Sequence, residues 1–313
     1  MGGYSETTVF TNDRLLDLRT KLGALVPDDE LVVTCGSYAR REAVPDSDLD
    51  FFSITSASIK KGAPHWFKKV EATVKQTVGK LPSRDGAFAD LVKKEGLLRN
   101  FGGTKDTNNS ITRRILFLLE GEYLTNEQEF VAVRRKILEK YVGDTPSDHQ
   151  LAFYLLNDVV RYWRTLAVDY ADKTSDASKK KKPWAIRNVK LVFSRKLIYA
   201  SGLFSIALTA DRRKDDKVAL LEMLFAMTPI DRIRHVCGES QSESLLQMYD
   251  FFLDKMADQL TRDHLTGLLK SEKSSDPIFR QIKNEGHYFS RELMGLFHRT
   301  FHASHPIHMA VIF

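Results

Sequence analysis

Two short apolar runs separated by a polar stretch constrain the fold of the N-terminal part of this chain. The first run, Leu31–Val33, and the second, Leu49–Ile54, have the length and composition typical of buried strands. Gly36 and Ser37 predict a tight turn directly after the first strand, and a short polar helix follows the turn. We therefore expect two strands joined by a compact polar segment.

Two aspartates stand at the beginning of the second predicted strand. Successive side chains of a strand point to opposite faces, so Asp48 and Asp50 are expected to project together while Leu49 and Phe51 are buried. Paired carboxylates repel each other unless a cation neutralises them, and Mg²⁺ prefers oxygen ligands. A glycine–serine turn at a helix start offers N–H groups and a hydroxyl to phosphate oxygens. This combination predicts a site for nucleotidyl transfer.

The segment from Gly36 to Asp50 resembles the Gly-Ser…Asp-x-Asp motif of the DNA polymerase β-like nucleotidyltransferase superfamily. It is most similar to the branch that contains bacterial protein uridylyl- and adenylyltransferases and the stand-alone minimal nucleotidyltransferases. The resemblance covers about residues 10–125 and extends only loosely to the rest. It implies that the two aspartates hold two Mg²⁺ ions, with Mn²⁺ as an alternative, and that an NTP, ATP or UTP first, is the substrate. It also implies a phosphate-binding role for Gly36, Ser37, Arg40 and Arg41.

The superfamily commonly has a third carboxylate on the next strand of the sheet. The stretch Gly86–Val92 is predicted to be that strand, and it carries Asp90. We therefore expect Asp90 to join Asp48 and Asp50 as a catalytic metal ligand. Two other acids, Asp85 in a predicted turn and Asp106 in a glycine-containing loop, are alternatives for this position.

From Ser110 onward the apolar periodicity is helical. The predicted fold class is α+β: an N-terminal nucleotidyltransferase α/β domain with a small mixed sheet at residues 1–125, then an all-helical domain at residues 126–313. Earlier helices are expected near residues 11–22, capped by Thr11–Asp13, and 65–81. Predicted later helices are Ile111–Gly121, Asn126–Tyr141, Ser147–Asp172, Trp184–Leu208, Lys217–Met227, Gln241–Leu260 and Gly286–Phe301.

Positive charge is concentrated in the predicted helical domain. The whole chain has 47 Lys and Arg against 41 Asp and Glu, whereas residues 161–217 alone have fifteen basic residues and six aspartates. The resemblance implies that such a domain closes over the NTP and gives basic residues to the triphosphate; a solvated helix surface is the alternative. The candidates for this role are Arg161 and Arg164 on one helix face, and Arg187 and Lys190 on a face of the next helix. Ser194 is expected to share the face of Arg187 and Lys190. The lysine run Lys179–Lys182 is expected in an exposed loop, where an RNA backbone is one conceivable ligand.

The bulk sequence excludes several classes of protein. The sequence contains no run of about 18 or more apolar residues, so no membrane-spanning helix is predicted. The N-terminus has neither the basic nor the apolar region of a signal peptide. Two cysteines, Cys35 and Cys237, form no disulfide framework or zinc pattern. We therefore expect a cytoplasmic protein without a membrane partner.

Several acceptors for the transferred nucleotide remain open. One is a Tyr, Ser or Thr hydroxyl of a protein (AMPylation or UMPylation), and another is an RNA such as a tRNA 3′ end, as in toxin-like enzymes with an antitoxin-like or regulatory partner. A small molecule such as an aminoglycoside, or synthesis of a nucleotide second messenger, is a further alternative. The alternative outside the enzymes is a catalytically idle nucleotide-binding regulatory module. The oligomeric state is left open.

Overall fold

The computed structural model describes residues 3–57, 63–81, 88, 90–143, 150–175 and 182–312. The chain is mostly helical, at 70 %, and contains a small mixed four-stranded sheet, as predicted. No helix in the described ranges combines the length and apolar character that crossing a bilayer requires.

The sheet has the strand order β3-β2-β1-β4. Strand β1 is antiparallel to β2 and to β4, whereas β3 runs parallel to β2. Thr34 pairs with Phe51, so the end of β1 lies beside the beginning of β2. The strands are β1 (Leu31–Thr34), β2 (Phe51–Thr55), β3 (Leu91–Lys93) and β4 (Glu122–Tyr123).

The helices cover most of the remaining chain. In chain order, those up to the middle are α1 (Gly3–Gly23), α2 (Gly36–Ala39), α3 (His65–Val78), α4 (Lys94–Arg99), α5 (Asn108–Glu120), α6 (Glu127–Tyr141) and α7 (Phe153–Thr174). Those that follow are α8 (Trp184–Lys190), α9 (Lys196–Ala207), α10 (Lys214–Phe225), α11 (Pro229–Cys237), α12 (Glu239–Ala257), α13 (Gln259–Gly267), α14 (Pro277–Thr300) and α15 (Pro306–Ala310). A π-helical turn, Leu191–Arg195, joins α8 to α9, and a 3₁₀ turn, Lys270–Glu272, follows α13.

Contacts divide the chain into two compact units. The sheet unit comprises Tyr4–Thr145 and Arg213–Thr228, and the helical unit comprises Met1–Gly3, Pro146–Arg212 and Pro229–Phe313. Helices α6 and α10 thus group with the strands. The division into functional domains at residue 125 stays a prediction.

Both faces of the central strands are buried. Val32 and Phe51 face a core cluster, to which α1 contributes Leu15, Leu18 and Leu22 and α3 contributes Val70 and Val74. Val33, Phe52 and Ile54 alternate to the other face and are also buried. Apolar side chains spaced by three or four residues bring α1 and α3 onto the first face. Burial on both faces fixes the register of the strands, and with it the positions of the polar residues at their ends.

Several element boundaries differ from the predicted ones. Helix α1 begins at Gly3, so Thr11–Asp13 do not cap it; Thr11 instead accepts a hydrogen bond from the Ala43 amide at 3.2 Å. Strand β2 begins at Phe51, and Leu49 precedes it. The third strand is β3, which starts after Asp90; of its predicted beginning, Gly86, Ala87 and Ala89 lie outside the described residues.

Candidate functional site

The turn after β1 brings Gly36 into direct contact with Asp50. The Gly36 backbone has a left-handed φ of 69°, and a Cβ added there would stand 2.6 Å from the Asp50 Oδ2 atom. The Asp50 carbonyl is fixed in turn by the Cys35 amide and the Thr34 hydroxyl, each at 2.9 Å. Only glycine provides both the conformation and the space for this packing. The structure therefore brings together two of the predicted site residues.

Burial alternates along the residues that lead into β2. Leu49 and Phe51 are fully buried in the core cluster, whereas Asp48 is exposed and Asp50 is half-buried. Asp48 has no hydrogen bond or ion pair within the described part of the chain. Burial raises the pKa of Tyr38, and the negative charge of Asp48 raises it further. The predicted burial of Leu49 and Phe51 is thus confirmed, although Leu49 precedes the strand; that Asp48 and Asp50 project together stays a prediction.

The Ser37 side chain is half-buried in α2, the single helical turn that follows Gly36. Its carbonyl accepts a hydrogen bond from the Glu42 amide at 2.8 Å, and its hydroxyl has no hydrogen-bond partner among the described residues. The backbone bond holds the turn in place, while the hydroxyl keeps its capacity to bond a ligand.

Cys35, directly before this turn, is buried among charged side chains. Cys35 is fully buried, and burial raises the pKa of its thiol well above the ordinary value; the nearby Glu120 and Asp50 carboxylates raise it further. The thiol is therefore neutral and serves in packing. The Arg40 guanidinium, which pairs with Glu120, partly opposes this rise in the thiol pKa.

A buried ion-pair network lies beside the turn. The Arg40 guanidinium donates to the Glu42 carboxylate at 2.8 Å and to the Glu120 carboxylate at the end of α5, and all three side chains are at most 8 % exposed. Neither acid was expected from the sequence to belong to the site, because the partners Arg40 and Glu120 are 80 residues apart and share no local pattern. The Arg40 charge is thus engaged by protein carboxylates, and its predicted phosphate contact stays a prediction.

Arg41 is held in a second, more accessible pair. Its backbone is left-handed with φ of 66°, and its guanidinium donates to the Ala39 carbonyl at 3.1 Å and to the Glu122 carboxylate at 3.0 Å. Arg19 also pairs with Glu122. The arginine closes the C-terminal end of α2 and ties it to β4.

Asp90 stands directly before β3. The Asp90 carbonyl accepts a hydrogen bond from the Ser53 amide at 3.0 Å. Because β2 and β3 are parallel and Ser53 pairs with Leu91, Asp90 lies beside Phe52. Phe52 is two residues after Asp50 along the chain. The exposed Asp90 carboxylate forms an ion pair with Arg113 of α5. Within the described ranges no group of three His, Cys, Asp or Glu side chains is arranged to hold a metal ion. The structure thus brings Asp90 to the neighbouring strand without joining it to the two other aspartates.

The two alternative acids have different outcomes. Asp85 lies outside the described residues. Asp106 is buried and forms a bidentate pair with Arg114, with both N–O distances 2.9 Å, and it accepts the Gly102 amide at 2.8 Å. Its oxygens are therefore used in holding the loop before α5, which explains Asp106 as a structural residue.

The four basic residues predicted in the helical domain all lie on helices of the helical unit. Arg161 is bonded to Asp158 at 3.3 Å, and Arg187 to Asp169 at 3.3 Å, with burial lowering the Arg187 pKa. Arg164 and Lys190 are exposed. Ser194 is buried and bonded to Tyr249, so it does not share the accessible face of Lys190 as predicted; the π-helical turn rotates it inward. Of the lysine run, Lys179–Lys181 lie outside the described residues.

No protein-family model matches this chain, and no curated protein matches it either. Asp48 and Asp50 provide the hard oxygen donors that suit a divalent cation, and the space above Gly36 is closed to any larger residue. The type of donor therefore suits Mg²⁺, although the described residues contain no group of three such side chains arranged around one ion.

Proposed function

We propose that this chain is a Mg²⁺-dependent nucleotidyltransferase that moves a nucleoside monophosphate from an NTP to a hydroxyl group of a protein or RNA acceptor. The observation that carries the proposal is the packing of the Asp50 carboxylate on left-handed Gly36, with the exposed Asp48 two residues earlier. Removing one partner of a buried ion pair is strongly destabilising, so such a network holds the segment that carries it in one position. The tie between Arg40, Glu42 and Glu120 supports this interpretation, since it anchors the segment that carries Gly36.

The proposed roles follow from the side chains. Asp48 and Asp50 would hold the metal, which when bound supplies charge neutralisation and activation of the attacking hydroxyl. Gly36 lets the backbone approach the β- and γ-phosphates, and the Ser37 hydroxyl, which bonds no other residue in the described part of the chain, is available to bond them. In the reaction the acceptor hydroxyl loses its proton, its oxygen bonds the α-phosphorus, and the α–β bridging oxygen leaves with pyrophosphate.

Asp90 is proposed as a third carboxylate on the neighbouring strand. Its position beside Phe52 in the register supports this role, and its exposure leaves it accessible. The ion pair with Arg113 competes with metal binding for the Asp90 carboxylate oxygens. The proposal therefore requires that Asp90 share its carboxylate between the arginine and the site.

The acceptor is proposed to be a protein or RNA, in a regulatory or toxin-like enzyme of the cytoplasm. The basic residues Arg161, Arg164, Arg187 and Lys190 support a ligand rich in phosphate. A small-molecule acceptor and second-messenger synthesis are the enzymatic alternatives. A catalytically idle nucleotide-binding module is the alternative from another class, and the accessible Asp48 argues against it, because mere nucleotide binding has no need of paired carboxylates.

Transfer of label from each of the four α-³²P-labelled NTPs into a cell extract with Mg²⁺ tests this proposal. We expect label in the protein or RNA fraction with the wild type and none with Asp48→Asn. Label in the small-molecule fraction would show that the acceptor is a small molecule and not a protein or an RNA. Absence of label from every fraction, together with NTP binding unchanged in Asp48→Asn, would favour the idle module instead.

A further inference from the structure

One face of helix α7 is accessible to solvent and combines aromatic, basic and apolar side chains. Its members are spaced by three or four residues, so they share one side of the helix: Tyr154, Asn157, Arg161, Arg164 and Val168. We call these five residues the α7 stripe. Tyr154 is 77 % exposed and Val168 is 69 % exposed. A large ring and a branched apolar side chain thus lie in water at the two ends of a stripe whose middle is basic.

The α7 stripe is positively charged. Arg164 is exposed and has no hydrogen bond or ion pair among the residues that the structure describes. The Arg161 side chain is 43 % exposed and uses one nitrogen on Asp158 at 3.3 Å, which leaves its other N–H groups available. Asp158 is the only acid between Tyr154 and Val168, and its side chain is only 8 % exposed. Between these two residues α7 therefore presents arginines to an anion without an exposed carboxylate of its own.

The beginning of α7 adds to this positive charge. Its first turn contains no acidic residue, and no described side chain caps it. The positive end of the helix dipole therefore lies beside Tyr154, the second residue of α7, without neutralisation by an acid of that turn. A phosphate group near the Tyr154 ring would be stabilised by this dipole as well as by the arginines of the next turns.

Contacts on the other side of α7 hold the helix in place. The Ala152 amide, directly before α7, donates to the Thr209 hydroxyl at 3.1 Å. In the middle of the helix, the rings of Trp163 and Tyr199 are stacked 5.3 Å apart at an angle of 17°, which joins α7 to α9. The α7 stripe is thus the free face of a helix that is fixed at its start and in its middle. A fixed surface loses little conformational entropy when it binds a ligand.

Single-stranded RNA satisfies both kinds of side chain in the α7 stripe. Its phosphates accept hydrogen bonds from guanidinium groups, and its unpaired bases stack on aromatic rings. A duplex offers the phosphates but keeps its bases paired. An acidic protein segment would pair with the arginines and leave the Tyr154 ring without a flat partner. The ten residues from Tyr154 to Arg164 span about 15 Å of helix, and phosphates of a helical strand are about 3.4 Å apart along its axis, so the stripe suits a polymer better than a single nucleotide.

We propose that the α7 stripe binds single-stranded RNA, with Arg161 and Arg164 on phosphate groups and Tyr154 stacked on a base. All of these residues belong to the helical unit. The RNA surface goes beyond the transfer reaction proposed above, which leaves protein and RNA open as acceptors. Use of the bound RNA as the acceptor rests on that proposed function, whereas the binding itself does not.

Fluorescence anisotropy of a labelled oligouridylate, titrated with the full chain, tests the proposal. EDTA and the absence of NTP prevent any transfer. We expect binding to the wild type and binding at least about fivefold weaker to Arg164→Gln and to Tyr154→Ala. The matched controls are Arg291→Gln and Tyr288→Ala, which remove an exposed arginine and an exposed tyrosine of α14 and should bind as the wild type does.

The salt dependence of binding separates the two roles. The slope of log K against log salt concentration should be less steep by about 0.7 in Arg164→Gln, because one phosphate contact is lost. Tyr154→Ala should keep the wild-type slope, because its ring carries no charge. Both side chains are exposed, so the unfolding temperatures of the two free variants should equal that of the wild type. Weaker binding can then be assigned to the surface and not to loss of the fold.

Several outcomes would overturn the proposal. These are equal RNA binding in all five proteins, absence of binding to the wild type, and displacement of the RNA by polyglutamate or by duplex RNA as effectively as by unlabelled oligouridylate. Asp48→Asn should bind the RNA as the wild type does, so the RNA surface and the transfer reaction can fail separately. RNA binding together with transfer of label to protein alone would refute the acceptor role and keep the RNA surface.

Discussion

The Asp50 carboxylate lies against the α-carbon of Gly36, with Oδ2 only 2.6 Å from the place where a side chain would begin. Strand pairing produces this contact, because the Cys35 amide is bonded to the Asp50 carbonyl and leaves Gly36 beside the Asp50 side chain. The position of one proposed metal ligand therefore depends on the absence of a side chain at a residue 14 positions earlier.

Replacing Gly36 by alanine should cost both stability and activity. The left-handed φ of 69° and the clash with Asp50 together predict a loss of about 2–3 kcal/mol in the free energy of unfolding. Gly79→Ala is the matched control, since Gly79 has φ of 82° but open space around it, and it should lose only about 1 kcal/mol. Urea denaturation measures both, and equal losses would contradict the close contact with Asp50.

Asp48→Asn should abolish nucleotidyl transfer and leave stability nearly unchanged. Asp48 is exposed and has no hydrogen bond or ion pair in the described ranges, so the amide replaces a carboxylate without disturbing the fold. Asp46→Asn, in the same exposed turn, should keep wild-type activity. Transfer assays with labelled NTP compare the three proteins, and activity retained in Asp48→Asn would remove the basis of the proposed metal site.

Asp90→Asn and Arg113→Met separate a catalytic from a structural use of one ion pair. If Asp90 is a third carboxylate, its amide variant should lose about 100-fold or more in rate, an effect of the order expected for a metal-binding group. Arg113→Met should stay within severalfold of the wild type, because it leaves the carboxylate in place. Similar losses of rate in both variants, matched by similar losses of stability, would assign the pair to structure alone.

Removal of Arg40 should destabilise the sheet unit strongly. Arg40→Met leaves the buried Glu42 and Glu120 carboxylates without their counter-charge, with an expected cost of about 3–5 kcal/mol. Arg41→Met breaks a more accessible pair and should cost about 1 kcal/mol. Denaturation of the two variants gives the comparison, and an Arg40 cost as small as that of Arg41 would show that the buried network contributes little.

Burial of Lys196 and of Lys283 should make stability depend on pH above neutrality. The folded-state pKa values of Lys196 and Lys283 are lowered from the ordinary 10.5, so the unfolded state binds more protons in this range and stability contributed by these groups rises with pH. The penalty for their burial is fully present below the lowered pKa and is lost as the pH rises from that value past the ordinary 10.5. Lys196→Met removes one buried charge and should be more stable than the wild type at neutral pH, and this advantage should shrink as the pH rises past the lowered pKa and beyond 10.5. An advantage that stays constant over this range would contradict the lowered pKa.

Local sequence predicted the parts of the fold that depend on neighbouring residues. The apolar runs before Gly36 and after Asp50 fixed the two central strands, and alternation of Leu49 and Phe51 with the aspartates predicted which side chains are buried. Helix α5 begins three residues earlier than its predicted start because Thr107, whose hydroxyl accepts the Ser110 amide, is the N-terminal cap.

Features that depend on distant partners could not be predicted in this way. The pairing of Arg40 with Glu120 and the two-residue strand β4 require the complete fold, since neither has a distinctive local pattern. The π-helical turn within the predicted helix Trp184–Leu208 also could not be predicted from neighbouring residues, because the residue that makes room for it is Gly286, on another helix. The predicted face shared by Lys190 and Ser194 was wrong for this reason.

The membership of α10 in the sheet unit has a consequence for biosynthesis. This helix buries Val218, Leu221, Leu224 and Phe225 and contacts α5 and α6, although more than 70 residues of other structure separate it from α6 along the chain. A ribosome must therefore synthesise the chain through about residue 228 before the first unit can be completed, and fragments that stop at residue 125 or 145 would leave apolar surface of α5 and α6 exposed to water. Chaperone binding and aggregation should accordingly be greatest for nascent chains that end between α6 and α10.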